Sequence, residues 1–98
     1  MKRVLVAIRP GYHIAEELRE RRVSQAEFAG ALRVLASRVF EVIRGRRSVN
    51  ADFAFRLGRW MGHGPDIWHN LQKTYDVRIA ERVHGDEIAR VAVWTDAA

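Results

Sequence analysis

The chain has 98 residues, no cysteine, 48% hydrophobic and 30% charged residues, and a formal net charge of +5. That is enough chain for one small globular domain (1–98) and too apolar for a wholly disordered one. A disulfide framework, a thiolate metal site and a cysteine nucleophile are excluded, and no apolar run approaches the roughly 18 residues needed to span a bilayer. The basic start at Met1 leads into an apolar stretch of five residues with no small-residue cleavage site after it, so it is not expected to be a secretory signal. The cytoplasm is the expected location, and no membrane partner is expected.

In chain order, Val4-Leu5-Val6-Ala7-Ile8 is mostly β-branched and ends at Arg9-Pro10-Gly11, which predicts a short strand (about 4–8) and a turn. Five helices are expected to follow. The first runs from about Ile14 to Arg22, with Ile14 and Leu18 inward and Glu16, Glu17 and Glu20 outward. Ser24-Gln25-Ala26-Glu27 is a capping box that opens the second, with Phe28, Ala29 and Leu32 inward. The third, about Ala36 to Arg44, has its apolar stripe in Val39, Val42 and Ile43 and stops at Gly45. Asn50 caps the fourth, Ala51 to Met61, whose inner face is Ala54, Leu57 and Met61. Pro65 suits the first turn of the fifth, which carries Trp68, Leu71 and Tyr75 inward to about Arg82. Alternation over Ile88–Trp94 predicts a second short strand (about 88–94). A lone strand is unstable, so the terminal strands are expected to pair with each other or with a second subunit, and are the expected contact with a second copy or a protein partner.

The charge is not spread evenly. Between Arg19 and Arg47 lie eight arginines and three glutamates, so this stretch holds the whole net +5 and the rest of the chain is neutral. A basic segment in a neutral domain points to a polyanion, most often nucleic acid. The same segment (about 24–45) has the layout of a helix-turn-helix: two short, nearly abutting helices, small Ala29 at their crossing, Val34 as an apolar plug in the turn, and Val39 and Val42 facing the core. Two positions depart from that layout. Arg33 stands where the backbone tends to positive φ and glycine is usual, and Leu35 stands where a side-chain cap is expected.

Geometry names the candidate contacts. The outward residues at the start of the third helix would enter the major groove: Ala36, Ser37, Phe40, Glu41 and Arg38. Ser37 can donate to or accept from a base edge, Arg38 could fork onto guanine or bind a phosphate, and Phe40 or Ala36 could touch a thymine methyl. Glu41 could accept from cytosine or pair with Arg38 or Arg44. Arg44, Arg46 and Arg47 suit the DNA backbone, as do Gln25 and the N–H groups that open the second helix.

With these residues in view, the chain resembles the HigA-type antitoxins, a branch of the phage-repressor-like (XRE) helix-turn-helix family, from about Arg9 to Glu81. The resemblance is carried by Arg9-Pro10-Gly11, Ser24-Gln25-Ala26-Glu27-Phe28-Ala29, the run Arg44 to Asp52, Ala54-Phe55-Arg56-Leu57-Gly58, and above all Pro65-Asp66-Ile67-Trp68-His69-Asn70-Leu71-Gln72, which looks like the family's P-x-x-W-x-N-L-Q segment. It implies a mainly α, five-helix domain and a homodimer that binds operator DNA and represses its own operon. It also implies a cognate ribonuclease toxin of the HigB/RelE kind as partner. Base contacts in related repressors match Ala36, Ser37 and Glu41, and backbone contacts match Gln25, Arg44, Arg46 and Arg47. A stand-alone regulator without a toxin, and a toxin-binding module that binds DNA weakly, remain open alternatives.

Little points to an enzyme, a cofactor or a metal. His13, His63, His69 and His84 are scattered, with no pair at i, i+4 around a glutamate. Glu16 and Glu17 are adjacent and point to different sides of a helix. Ser24 is explained by capping, Ser48 has no His/Asp partner visible in sequence, and Gly58, Gly62 and Gly64 form no phosphate loop. Trp60, Trp68 and Trp94 are expected in the core or an interface.

Overall fold

A computed structural model describes residues 7–96. Five helices follow in order: α1 (Pro10–Arg21), α2 (Gln25–Leu32), α3 (Ala36–Ile43), α4 (Ala51–Met61) and α5 (Asp66–Ile88).

Each boundary has a local cause. Pro10 occupies the first helical position of α1, where its missing N–H is no loss, so Arg9-Pro10-Gly11 opens a helix rather than closing a turn. Ser24 Oγ accepts from the Glu27 N–H at 3.1 Å, and the Glu27 carboxylate accepts from the Ser24 N–H at 3.3 Å, completing the box that opens α2. Asn50 Oδ1 accepts from the Phe53 N–H at 2.9 Å and opens α4. Both α1 and α2 end on a left-handed arginine, Arg22 at φ 56° and Arg33 at φ 60°. The Val34 N–H donates back to the Ala29 carbonyl at 3.0 Å, so the turn closes as a helix-capping loop despite lacking glycine.

The core gathers Ile14 and Leu18 from α1, Phe28, Ala29 and Leu32 from α2, Val39 and Val42 from α3, Phe53, Ala54 and Leu57 from α4, Trp68 from α5, and Val49 from the α3–α4 loop. Val34, Ile43, Trp60, Met61 and Leu71 pack around it half-buried. Phe28 stands edge-on to both Phe53 and Trp60. α2 packs on α3 and α4, α1 on α3 and α5, and α4 on α5.

One close approach sets the position of α3. A Cβ on Gly11 would lie 2.4 Å from the Val42 carbonyl oxygen and 2.7 Å from that of Ile43, so only glycine lets α1 lie this close to the end of α3. The loop after α3 is tied to α5 by Gln72, a buried side chain whose Oε1 accepts from the Val49 N–H at 2.8 Å and whose Nε2 donates to Asp76 at 2.9 Å.

The terminal strands are where expectation and structure part. Val4–Val6 lie outside the described residues, and Ala7 and Ile8 are irregular. Over 88–94 the expected strand is absent: Ile88 is the last residue of α5, and Ala89–Trp94 form a turn and an exposed tail. Strand geometry needs a paired neighbour, and none lies beside this segment among the described residues. The helix instead runs on from Arg82 to Ile88, because no proline or helix-stopping loop interrupts it.

Candidate nucleic-acid interface

The helix-turn-helix comprises α2, the turn at Arg33–Leu35, and α3. Leu35 is the N-cap residue of α3, offers no side-chain cap, and is 76% exposed. Ala36 and Ser37 follow, both exposed, on the first turn of α3. One turn further, Phe40 is exposed and Glu41 half-buried. These positions recur at the three- and four-residue spacings that line one side of a helix. Val39 and Val42 face the opposite way and are buried. Glu41 enters none of the ion pairs among the described residues, so the alternative pairing with Arg38 or Arg44 is not made.

The arginines divide into two groups. Arg44 is exposed and stacks on Phe40, its guanidinium carbon 4.6 Å from the ring centroid. Arg46 and Arg47 are exposed in the loop, which turns sharply at Gly45 (φ 77°). Gln25 is exposed as the first residue of α2. These are free for a polyanion. Arg38 is held differently. Its Nη1 donates to Asp52 at 3.0 Å, its Nη2 donates to Asn50 at 2.9 Å, and its guanidinium carbon lies 5.4 Å from the Phe53 ring centroid. The side chain is 19% exposed, and the guanidinium expected to fork onto guanine or bind a phosphate is here held on α4.

Sequence reasoning missed the rest of that anchor. Asp52 also accepts from Arg56 Nε at 3.0 and 3.1 Å, and Arg56 Nη1 donates to the carbonyls of Leu32 at 2.9 Å and Arg33 at 3.3 Å. The Arg56 hydrogen bond first, and the Arg38 hydrogen bond after it, hold the Asp52 carboxyl below its ordinary pKa, against an opposing contribution from partial desolvation. The i, i+4 spacing of Asp52 and Arg56 is a readable signal, whereas their link to Arg38 is not. Arg9 was also missed: its Nη2 donates to the Ile43 carbonyl at 3.3 Å and closes the end of α3.

Among the described residues no group of three or more acidic or histidine side chains is placed to hold a metal ion, and no helix is long and apolar enough to cross a membrane. No protein-family model matches the chain. It is 39% identical over 82 residues to virulence-associated protein I of Dichelobacter nodosus, covering 83% of this chain and 76% of that protein. Antitoxin GraA in complex with its operator has a chain 37% identical, with a TM-score of 0.85 and 99% of both chains covered. An addiction module antidote protein of the HigA family from Coxiella burnetii is 35% identical, with a TM-score of 0.87, covering 92% of this chain and all of that one. The chain belongs to the HigA family of antitoxins.

As a HigA-family helix-turn-helix, it has an arginine and an apolar pair at the turn. Arg33 accepts a left-handed backbone that glycine adopts without strain, and Leu35-Ala36 gives α3 an apolar start. The family segment around Pro65–Gln72 has a physical role here. Trp68 fills the core from α5, and Gln72 fixes the loop that carries Arg46 and Arg47.

Proposed function

We propose that this chain is an antitoxin that binds operator DNA as a homodimer, represses its own operon and neutralises an mRNA-cleaving toxin of the HigB/RelE kind. Each subunit sets α3 in one of two successive major grooves, about 34 Å apart on an inverted repeat. Ala36, Ser37 and Glu41 meet base edges. Gln25, the free N–H groups of α2, and Arg44, Arg46 and Arg47 meet the phosphates. The observation that carries this reading is the exposed first turn of α3 followed at once by three exposed arginines. Its likeness to antitoxin GraA, solved in complex with its operator, supports it. A cytoplasmic location follows from this role.

Binding to the DNA upstream of the gene, measured by fluorescence anisotropy across a salt series, tests the DNA half. Wild type is expected to bind the upstream region more tightly than unrelated DNA. Arg44→Ala, Arg46→Ala and Arg47→Ala are each expected to weaken binding and to flatten the log–log salt slope by about one contact. Unchanged slopes would remove the phosphate assignment. Co-expression with the product of the adjacent gene tests the other half: a toxin should co-purify and lose its mRNA cleavage. DNA binding without such a partner would favour a stand-alone regulator.

A further inference from the structure

Arg38 is the third residue of α3, on the turn that would enter DNA, yet its guanidinium is turned away to α4. We propose that Arg38 is a positioning residue, linked through Asn50, Asp52 and Arg56 into one relay that fixes the angle of α3 for reading DNA. The proposal rests on α3 being the reading helix.

The relay joins three elements. Arg38 leaves the start of α3 and meets Asn50 and Asp52 at the start of α4. Asn50 Oδ1 serves both Arg38 and the cap of α4, at 2.9 Å each, so a shift of Arg38 loosens the helix it grips. Asp52 is shared between Arg38 and Arg56, and Arg56 continues to the last carbonyls of α2 at Leu32 and Arg33. The end of α2, the start of α3 and the start of α4 are thus linked by charge-assisted hydrogen bonds on both sides of the turn. Phe53, fully buried, lies under the Arg38 fork. Moving Arg38 out to a phosphate would break two hydrogen bonds and leave Asp52 with Arg56 alone. A planar fork fits two acceptors at once; an ammonium does not.

The test uses Arg38→Met, which keeps the stem over Phe53, together with Arg38→Lys and Asp52→Asn. Each is measured on upstream DNA and on unrelated DNA across salt. For Arg38→Met, operator affinity should fall about tenfold while the salt slope and the affinity for unrelated DNA hold. Arg38→Lys should fail to restore operator affinity. Asp52→Asn should reproduce the loss although it removes no positive charge, and it carries the test where Arg38→Met does not fold. A slope reduced by about one in Arg38→Met, or rescue by lysine, would make Arg38 a phosphate contact and overturn the relay. Loss confined to one operator base pair would make it a base reader, and unchanged operator affinity would leave it no role; either overturns the relay. If wild type ignores the upstream DNA, the proposed function fails by itself. The relay is then decided by backbone amide resonances of the free protein. Arg38→Met should shift those of Leu32 and Arg33 as well as α3, and shifts confined to the neighbours of residue 38 would overturn it.

Discussion

Arg33 occupies a left-handed backbone at φ 60° and donates its own N–H to the Gly30 carbonyl, so its main chain, not its side chain, closes α2. Glycine adopts that conformation without the Cβ clash. Arg33→Gly is therefore expected to raise stability by about 0.5–1 kcal/mol, part of the relieved strain being lost to the more flexible unfolded chain. Urea unfolding would read it as a higher midpoint at unchanged slope. Asp52 gives a second expectation. Its folded pKa lies below the ordinary carboxylate value, so its contribution to stability is complete above that ordinary value and fades as the pH falls through the lowered one. Asp52→Asn should therefore flatten the acid limb of the stability profile, measured by thermal melts between pH 5 and 2, and leave its shape near neutrality unchanged. Residue-scale links of this kind are hard to see in a sequence. Capping by Ser24 and Asn50 is legible because cap and helix are neighbours. The grip of Asp52 on Arg38 spans 14 residues and exists only once α3 and α4 have packed.

At the scale of elements, the central helices are legible because their apolar spacing and their caps agree. α4 runs over Ala51–Met61 as the pattern predicts. The apolar set is less complete: Phe53 and Val49, both buried, escape the stripe read from Ala54, Leu57 and Met61, because packing brings a second face of α4 and the preceding loop inward. The strand expected over 88–94 fails for the opposite reason. An alternating pattern is only a permission, and pairing decides whether a strand forms. The α3–α4 loop shows how an element is held from a distance. Gln72→Leu would remove the acceptor for the Val49 N–H, which is buried, and is expected to cost about 1–3 kcal/mol. Thermal melting would show the loss, and amide exchange should rise at Val49 before it rises in α1.

The whole molecule is long in one direction, 58 × 31 × 23 Å. After Gln72, α5 buries no further residue, yet it continues to Ile88; Val77, Val83 and Ile88 on it, and Val91, Val93 and Trp94 on the tail after it, are exposed. Among the described residues the C-terminal part of α5 is only partly covered, a helix end of this kind is marginal in water by itself, and these exposed apolar side chains suit a second copy or a protein partner. A chain truncated after Arg82 is therefore expected to keep its melting transition, because the core is untouched, but to lose dimer mass or toxin capture in size-exclusion chromatography with light scattering. A truncated chain that remains dimeric and still holds the toxin would place both contacts elsewhere. The net +5 charge lies in another part of the chain, between Arg19 and Arg47, so the basic segment and the exposed apolar end of α5 are separate in sequence.

That separation also distributes the three tryptophans usefully. Trp68 is sealed in the core and Trp60 lies half-covered against Phe28, whereas Trp94 is 80% exposed on the tail. The protein therefore carries its own optical labels: a buried Trp68 that reports on folding, and a quencher-accessible Trp94 that reports on whatever covers the tail. Emission from Trp94 can follow assembly without an added dye, while the light from Trp68 stays fixed as an internal reference.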